Sequence, residues 1–276
     1  MPYPNHTLIR RTGPLLLCLL LAAFSAALGP PALAQAQKAP SASPPSSYEP
    51  KSGQEGKDVI WIPTPQVVVD KMLDMAKVRP GDFVMDLGSG DGRLVITAAR
   101  RGARALGVEY NPDMVELSKR NAEKEGVAGK ATFVKADLFE TDFSKASVIT
   151  MFLLADINLK LRPKILALKP GTRIVSNSFD MGDWKEDERA ELSGDGCNGS
   201  WCTALLWIVP ARVAGTHKLP QGELVLKQQY QVLSGFLRTG GTSYALRGKV
   251  SGEEVSFTAG GRKYRGRMNG RTLELR

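Results

Sequence analysis

Residues 83–93 read Phe-Val-Met-Asp-Leu-Gly-Ser-Gly-Asp-Gly-Arg and carry the densest chemistry in the chain. The apolar run predicts a buried strand that closes around Asp86. Gly88, Gly90 and Gly92 then alternate with Ser89 and Asp91 before a helix that begins near Arg93. Glycines admit backbone conformations that a Cβ resists, and they let a ligand lie directly on the main chain. An acid at the end of the strand suits an amine or a hydroxyl, because it would repel a phosphate. A dinucleotide loop of the G-x-G-x-x-G form needs glycine at position 93, where this chain has Arg93. Glu109 closes the next strand, and a carboxylate there can accept both hydroxyls of a ribose. Asp137-Leu138 follows a third strand. The three acids therefore fall at carboxyl ends of parallel strands, where open α/β sheets bind their ligands.

The elements that must position these acids are legible in the pattern. Thr64 and Pro65 have the types of an N-cap and a first helical residue, and Val67, Val68, Met72, Leu73 and Ala76 form one apolar face. After the turn at 78–82, strands are predicted at 83–87, 105–108, 131–135, 147–154 and 173–176. Helices are predicted from Arg93 to Gly102, from Asn111-Pro112 to Gly126, and over 157–168. Regular alternation of this kind implies an α/β fold, a Rossmann-like doubly wound parallel sheet with helices on both faces. The pattern then changes. Residues 188–192 and 203–209 read as an antiparallel hairpin whose loop holds Cys197 and Cys202. Beyond Pro220-Gln221-Gly222, short strands at 224–231, 243–248, 255–258, 263–268 and 272–275 read as a small all-β appendage, more a stabilising cap than a binding face.

The first residues read as a leader. Arg10-Arg11 precede an apolar run at 15–27, and Ala32-Leu33-Ala34 and Ala34-Gln35-Ala36 are overlapping cleavage sites, so export, to a periplasm, is expected with a cut near Ala34 or Ala36. The run is short for a membrane span, and no transmembrane helix is expected once it is removed. Residues 35–57 are rich in Pro, Ser, Ala, Gln and Lys and read as a disordered linker, leaving 58–215 as the main domain and 222–276 as the appendage. The whole chain has 37 Lys and Arg against 28 Asp and Glu, and this modest basicity reads as a solvated surface spread along it. His6 leaves with the leader, so His217 is the only histidine left, and metal sites and histidine triads have almost no material. Cys18 leaves too, and in an exported protein the remaining pair, Cys197 and Cys202, is expected to form a disulfide.

The D-x-G-x-G-x-G pattern at Asp86, Gly88, Gly90 and Gly92 resembles motif I of the class I S-adenosylmethionine-dependent methyltransferases. Pro63-Thr64-Pro65, the motif at 86–93, the Pro-Gly-Thr-Arg-Ile-Val-Ser strand at 170–176 and Phe179-Asp180-Met181-Gly182-Asp183-Trp184 together resemble exported bacterial methyltransferase-domain proteins. Motif I and Gly107-Val108-Glu109-Tyr110-Asn111-Pro112 are more distantly similar to mitochondrial lysine methyltransferases that act on membrane carriers and the ATP synthase c-subunit. The resemblance implies S-adenosylmethionine as methyl donor, without a metal. It implies that Asp86, Gly88, Ser89, Gly90, Asp91, Gly92, Glu109, Tyr110, Asp137 and Leu138 bind it, with Asp137 against the adenine amino group and Leu138 against the adenine ring.

For the acceptor, the resemblance points to a protein lysine amine, and the expected export points to an envelope protein. The fourth strand end, Thr150-Met151-Phe152-Leu153-Leu154, lacks the Asn/Asp-Pro-Pro-aromatic signature of enzymes that methylate base amino groups, and no clear nucleic-acid signature is present. Phe152, Asp180 and Asp183 are candidates for acceptor contacts, against plain core packing for the first and turn capping for the others. The rival reading is a non-catalytic binder of S-adenosylmethionine or S-adenosylhomocysteine in the cell envelope, since motif I serves both. Arg93 disfavours a nicotinamide oxidoreductase.

Overall fold

The computed structural model describes residues 48–194 and 196–276, so the expected leader, its cleavage sites and the first part of the linker lie outside the described residues. Strands β1 (Phe83–Leu87), β2 (Arg104–Glu109), β3 (Ala131–Lys135), β4 (Val148–Met151), β5 (Arg173–Asn177), β6 (Glu188–Glu191) and β7 (Thr203–Ile208) form one sheet in the order β3-β2-β1-β4-β5-β7-β6. The first five run parallel, and β7 is antiparallel to both β5 and β6. Helices α1 (Gln66–Met75), α2 (Arg93–Arg100) and α3 (Pro112–Lys124) cover one face and α4 (Ala155–Leu166) the other. Alternate residues along the strands feed the two faces. Val84 and Val148 pack with Val68, Met72 and Val95 on one side. Met85, Leu87, Ile149 and Met151 pack with Ile157, Leu161 and Ile165 on the other. Burial on both faces explains why these strands read as continuous apolar runs.

Local departures have local causes. Pro65, not Thr64, is the N-cap of α1, with ψ 141° and no side-chain cap bond. The Thr64 carbonyl instead accepts a hydrogen bond from Arg93 Nη1 at 2.8 Å. Strand β4 stops at Met151 and α4 starts at Ala155, so the apolar residues 152–154 leave the sheet rather than extend it. An apolar run of this length does not itself distinguish strand from cavity wall. The linker expectation also needs correction: residues 48–57 are held by hydrogen bonds, and residues 54–57 line a cavity of the domain. Gly53 N donates to Trp61 O at 2.8 Å, Trp61 N to Gln54 O at 2.9 Å, and Gln54 Nε2 to Tyr48 Oη at 2.6 Å. Polar composition argues against a core, but here backbone and side-chain hydrogen bonds supply the order.

The second sheet is an antiparallel meander that begins at Gly215, seven residues before the expected boundary. Its strands are β8 (Gly215–Leu219), β9 (Gly222–Gln229), β10 (Val232–Thr239), β11 (Thr242–Ser251), β12 (Glu254–Ala259), β13 (Arg262–Asn269) and β14 (Thr272–Leu275). Two of them, β8 and β10, escape the sequence reading. Strand β8 is polar and largely exposed. Strand β10 carries Gly235 in its middle, which suggests a turn. A Cβ at Gly235 would lie 1.9 Å from the Val225 carbonyl oxygen, and its φ is +146°, so glycine here marks a close backbone approach within a sheet.

The two sheets share apolar contact. Tyr230, in the β9–β10 turn, stacks on Trp184 with ring centroids 5.9 Å apart, and Trp184 packs on Trp207 at 6.3 Å. Charge is not spread evenly, contrary to the expectation. Residues 215–276 hold eleven Lys and Arg against four Glu, so the second sheet carries a net excess of seven positive charges.

Candidate active site

A cavity of about 480 Å³ opens at the carboxyl ends of β1, β2, β3 and β4 and is roofed by residues 54–64. Motif I forms its floor. Gly88 N and Ser89 N both donate to Val108 O, at 2.9 and 3.0 Å, which ties the loop to β2. From the other side α3 holds the loop carbonyls: Ser118 Oγ donates to Gly90 O at 2.8 Å and Asn121 Nδ2 to Asp91 O at 2.9 Å. Glu109 completes the frame. One carboxylate oxygen accepts from Gly90 N and the other from Asn111 N, each at 2.9 Å. A carboxylate has about four acceptor positions, so each oxygen retains capacity for a ligand hydroxyl.

Asp86 is buried and pairs across the sheet with Thr150, whose Oγ1 donates to it at 2.7 Å. Burial pushes its pKa up to about 7, opposed by the Thr150 hydrogen bond and reinforced by the charges of Glu109 and Asp91. A buried carboxyl poised at neutrality gains stability in its ionised form when an ammonium group approaches.

Nine of the ten expected binding residues line the cavity, and Gly92 does not. Gly92 has φ +83° at the start of α2, and a Cβ there would lie 2.8 Å from the Phe133 ring and 2.9 Å from Ser118 Cβ. Its role is to let the loop close onto β3 and α3. Two more residues line the cavity but commit their side chains elsewhere. The Asp91 carboxylate is gripped by Arg93, through Nε at 3.0 Å and Nη2 at 2.5 Å. The Ser89 hydroxyl is buried next to Gly107, where a Cβ would lie 2.5 Å from it.

The wall beyond β2 and β3 is formed by Tyr110, Asp137 and Leu138. Asp137 Oδ1 accepts from Phe139 N at 2.9 Å, and its other oxygen takes the ammonium of Lys57. That ammonium also lies 4.7 Å from the centroid of the Tyr110 ring. The hydrogen bond from Lys57 holds the Asp137 carboxyl below its ordinary pKa, and the same bond raises Lys57. Lys57 therefore bridges the slot between Tyr110 and Asp137. The sequence offers no signal for this, since a single lysine in a polar segment has no periodicity.

At the other end, Phe152 after β4, Phe179 after β5 and Trp201 in the β6–β7 loop line the cavity together. Their ring centroids are 5.2 Å (Phe179–Trp201), 5.9 Å (Phe152–Trp201) and 6.1 Å (Phe152–Phe179) apart. The loop that presents Trp201 is closed by a Cys197–Cys202 disulfide, the pairing expected of the two remaining cysteines. Sequence reading names Phe152 but misses Phe179 and Trp201, which only the fold brings to it. Asp180 takes the capping role, Asp183 is held by side chains instead, and neither lines the cavity. Asp180 Oδ1 accepts from Gly182 N at 3.0 Å, and Asp183 pairs with Arg162 and accepts from Tyr230 Oη at 3.0 Å.

Comparison with known proteins agrees with this geometry. The family profile described as the ANTKMT methyltransferase domain matches residues 86–188. A protein-lysine N-methyltransferase of Saccharolobus islandicus (strain REY15A) is 43% identical over 163 residues, which cover 58% of this chain and 96% of that one. The chain belongs to the class I S-adenosylmethionine-dependent methyltransferases. Within that family it is also similar to the human lysine N-methyltransferase of the ATP synthase c-subunit, 34% identical over 142 residues, spanning 51% of this chain and 59% of the human protein. A crystal structure of an RNA methyltransferase from Salinibacter ruber in complex with S-adenosyl-L-homocysteine aligns with a TM-score of 0.51 and 47% identity, covering 55% of this chain and 96% of that one.

This methyltransferase uses S-adenosylmethionine as methyl donor, and its own residues fit that group. The cavity lies within the range of about 300–1,000 Å³ usual for small-molecule sites. It offers a buried acid at Asp86, free acceptor capacity at Glu109, and an aromatic ring and an acid at Tyr110 and Asp137.

Proposed function

We propose that this methyltransferase transfers the methyl group to the ε-amine of a lysine in a protein of the cell envelope. The observation that carries this reading is the acceptor end of the cavity. Phe152, Leu153, Leu154, Phe179 and Trp201 make it apolar, with no charged side chain of either sign among these five. That suits the methylene stem of a lysine, whereas a nucleic acid needs cations for its phosphates. The lysine methyltransferase relatives support the same acceptor class. The similarity to the RNA methyltransferase of Salinibacter ruber supplies the alternative that the test must address.

In this reading Glu109 holds the ribose hydroxyls, Asp137 the adenine amino group with Tyr110 and Leu138 along the ring, and Asp86 the amino group of the amino-acid end. When bound, S-adenosylmethionine supplies a methyl group already activated on a sulfonium. The protein's contribution is alignment and exclusion of water. The motif I loop, fixed on three sides by Val108, Ser118 and Glu109, provides the rigid floor. The acceptor nitrogen must arrive neutral. Its lone pair forms the new bond to the methyl carbon, the bond to sulfur breaks with its pair left on sulfur, and the alkylated nitrogen carries the charge.

An envelope substrate goes with export, which is itself part of this proposal. The leader-like residues 10–36 and the disulfide suit an oxidising compartment, where the donor must then be delivered. The test is to incubate purified protein with methyl-labelled donor and envelope extract. The expected result is acid-stable, protease-sensitive label recovered as methyl-lysine after hydrolysis. Label confined to RNA would overturn the lysine reading and leave methyl transfer in place. N-terminal sequencing of the envelope-fraction protein should find a start after Ala34 or Ala36, and an intact Met1 in the cytoplasm would overturn export.

A further inference from the structure

Trp201 stands in an unusual local setting. Its φ is +73°, a left-handed conformation that side-chain-bearing residues rarely hold unless the surroundings impose it. It is 37% exposed, so burial of the indole alone does not explain the conformation. The residue next to it is cross-linked. Cys202 is bonded to Cys197, and Cys197 is buried in the apolar cluster beneath α1, with Cys202 packed against the same cluster. Backbone bonds reinforce the closure: Cys197 N donates to Gly194 O and Leu192 N to Cys202 O, both at 2.8 Å. One side of the loop is thus anchored in the core. The other turns an indole onto Phe179 and Phe152 at the cavity mouth.

We propose that Phe152, Phe179 and Trp201 form an ammonium-binding wall for the positive charge that arises on the acceptor amine as it is methylated, and that the Cys197–Cys202 disulfide keeps Trp201 in it. The proposal rests on an amine as acceptor. An aromatic face attracts a cation within about 6 Å of its centroid, and the attraction grows when water is excluded. The three rings line one cavity with the motif I floor, and in the proposed mode positive charge passes from sulfur to nitrogen within that cavity. Reduction would release the loop. Cleaving the S–S bond with a trialkylphosphine gives two thiols and the phosphine oxide, water supplying the oxygen and the two protons.

The test uses the full chain with S-adenosylhomocysteine bound and two probes: Nα-acetyl-Nε-trimethyllysine amide, and its neutral isostere in which a carbon replaces the quaternary nitrogen. Binding of each is followed by NMR titration. The expected result is about 5- to 30-fold tighter binding of the cation. That preference should fall to about twofold or less in Trp201→Leu, in the Cys197→Ser/Cys202→Ser double variant, and in wild-type protein reduced by the phosphine. Trp201→Phe should retain part of it. S-adenosylhomocysteine affinity should stay unchanged throughout, which shows that each variant is folded. Equal affinity of wild type for the two probes would overturn the ammonium wall. A preference that survives in Trp201→Leu or after reduction would overturn the role of Trp201 or of the disulfide. A wild-type cation preference together with label found only in RNA would instead remove the lysine reading and leave the wall standing.

Discussion

At the scale of single residues, the site depends on three carboxyl groups in three electrostatic settings. Glu109 is hydrogen-bonded by two backbone amides, so in the proposed binding mode its loss both removes ribose contacts and loosens the motif I loop. Glu109→Ala should weaken S-adenosylmethionine binding by about 1.5–3 kcal/mol, on the order of 10- to 100-fold in Kd. Glu109→Gln should lie between wild type and the alanine variant. Calorimetry on the three proteins checks this, and equal affinities would remove Glu109 from the site. Asp86 is a buried acid with its pKa raised to about 7. Between its unfolded value and 7, the folded protein holds a proton that the unfolded chain has released. Its contribution to stability is therefore complete at low pH and is lost as the pH rises through 7. Asp86→Asn should gain stability relative to wild type between pH 5 and 8 in urea titrations. If an ammonium group of the cofactor binds Asp86, binding at pH 7 should release about half a proton. Calorimetry in buffers of different ionisation enthalpy measures that release, which should vanish in Asp86→Asn.

At the scale of elements, strand ends and the segments between them decide what the acids meet. The parallel strands bring Asp86, Glu109 and Asp137 to one edge, and the roof of residues 54–64 then covers them. Lys57, carried by that roof, occupies the contact between Asp137 and Tyr110 that adenine needs in the proposed binding mode. Lys57→Ala should therefore tighten cofactor binding, by up to about fivefold, the scale of one exposed ion pair. The gain should shrink in high salt, and weaker binding at every salt concentration would show that Lys57 helps to hold the cofactor. Motif I and the strand–helix alternation were readable because they are local, set by glycine spacing and by the period of apolar residues. Strand β10 was not, because Gly235 signals a turn in sequence and a close backbone approach in the fold. Residues 48–57 were not, because their order comes from hydrogen bonds rather than from apolar burial.

At the scale of the whole molecule, the second sheet is joined to the methyltransferase sheet through Tyr230. Its ring stacks on Trp184, its hydroxyl donates to Asp183, and the Arg162 guanidinium lies 5.6 Å from its centroid. None of these residues lines the cofactor cavity. Tyr230→Ala should therefore destabilise the protein by about 2–4 kcal/mol, as large aromatic truncations do, and leave S-adenosylhomocysteine affinity within twofold. Urea unfolding and calorimetry check the two halves separately. A loss of affinity without loss of stability would mean that the second sheet acts on the site rather than on the fold. The concentration of positive charge in residues 215–276 leaves the rest of the described chain close to neutral, so salt should act mainly on the second sheet's surface.

The D-x-G-x-G-x-G loop, the three strand-end acids, the parallel sheet and the cysteine pair could all be read without coordinates. Each is encoded within a few residues, or by a repeating period, and short-range sterics and burial alone give such patterns meaning. The tertiary structure decided which side chains stand open to the cavity and which are engaged elsewhere. It set Gly92 behind the loop against Phe133, turned Asp91 to Arg93, and laid Lys57 across to Asp137. It also gathered Phe152, Phe179 and Trp201 from three separate loops into one wall. These outcomes depend on pairs far apart in the chain, and no local propensity carries information about such partners until the sheet has brought the strand ends together.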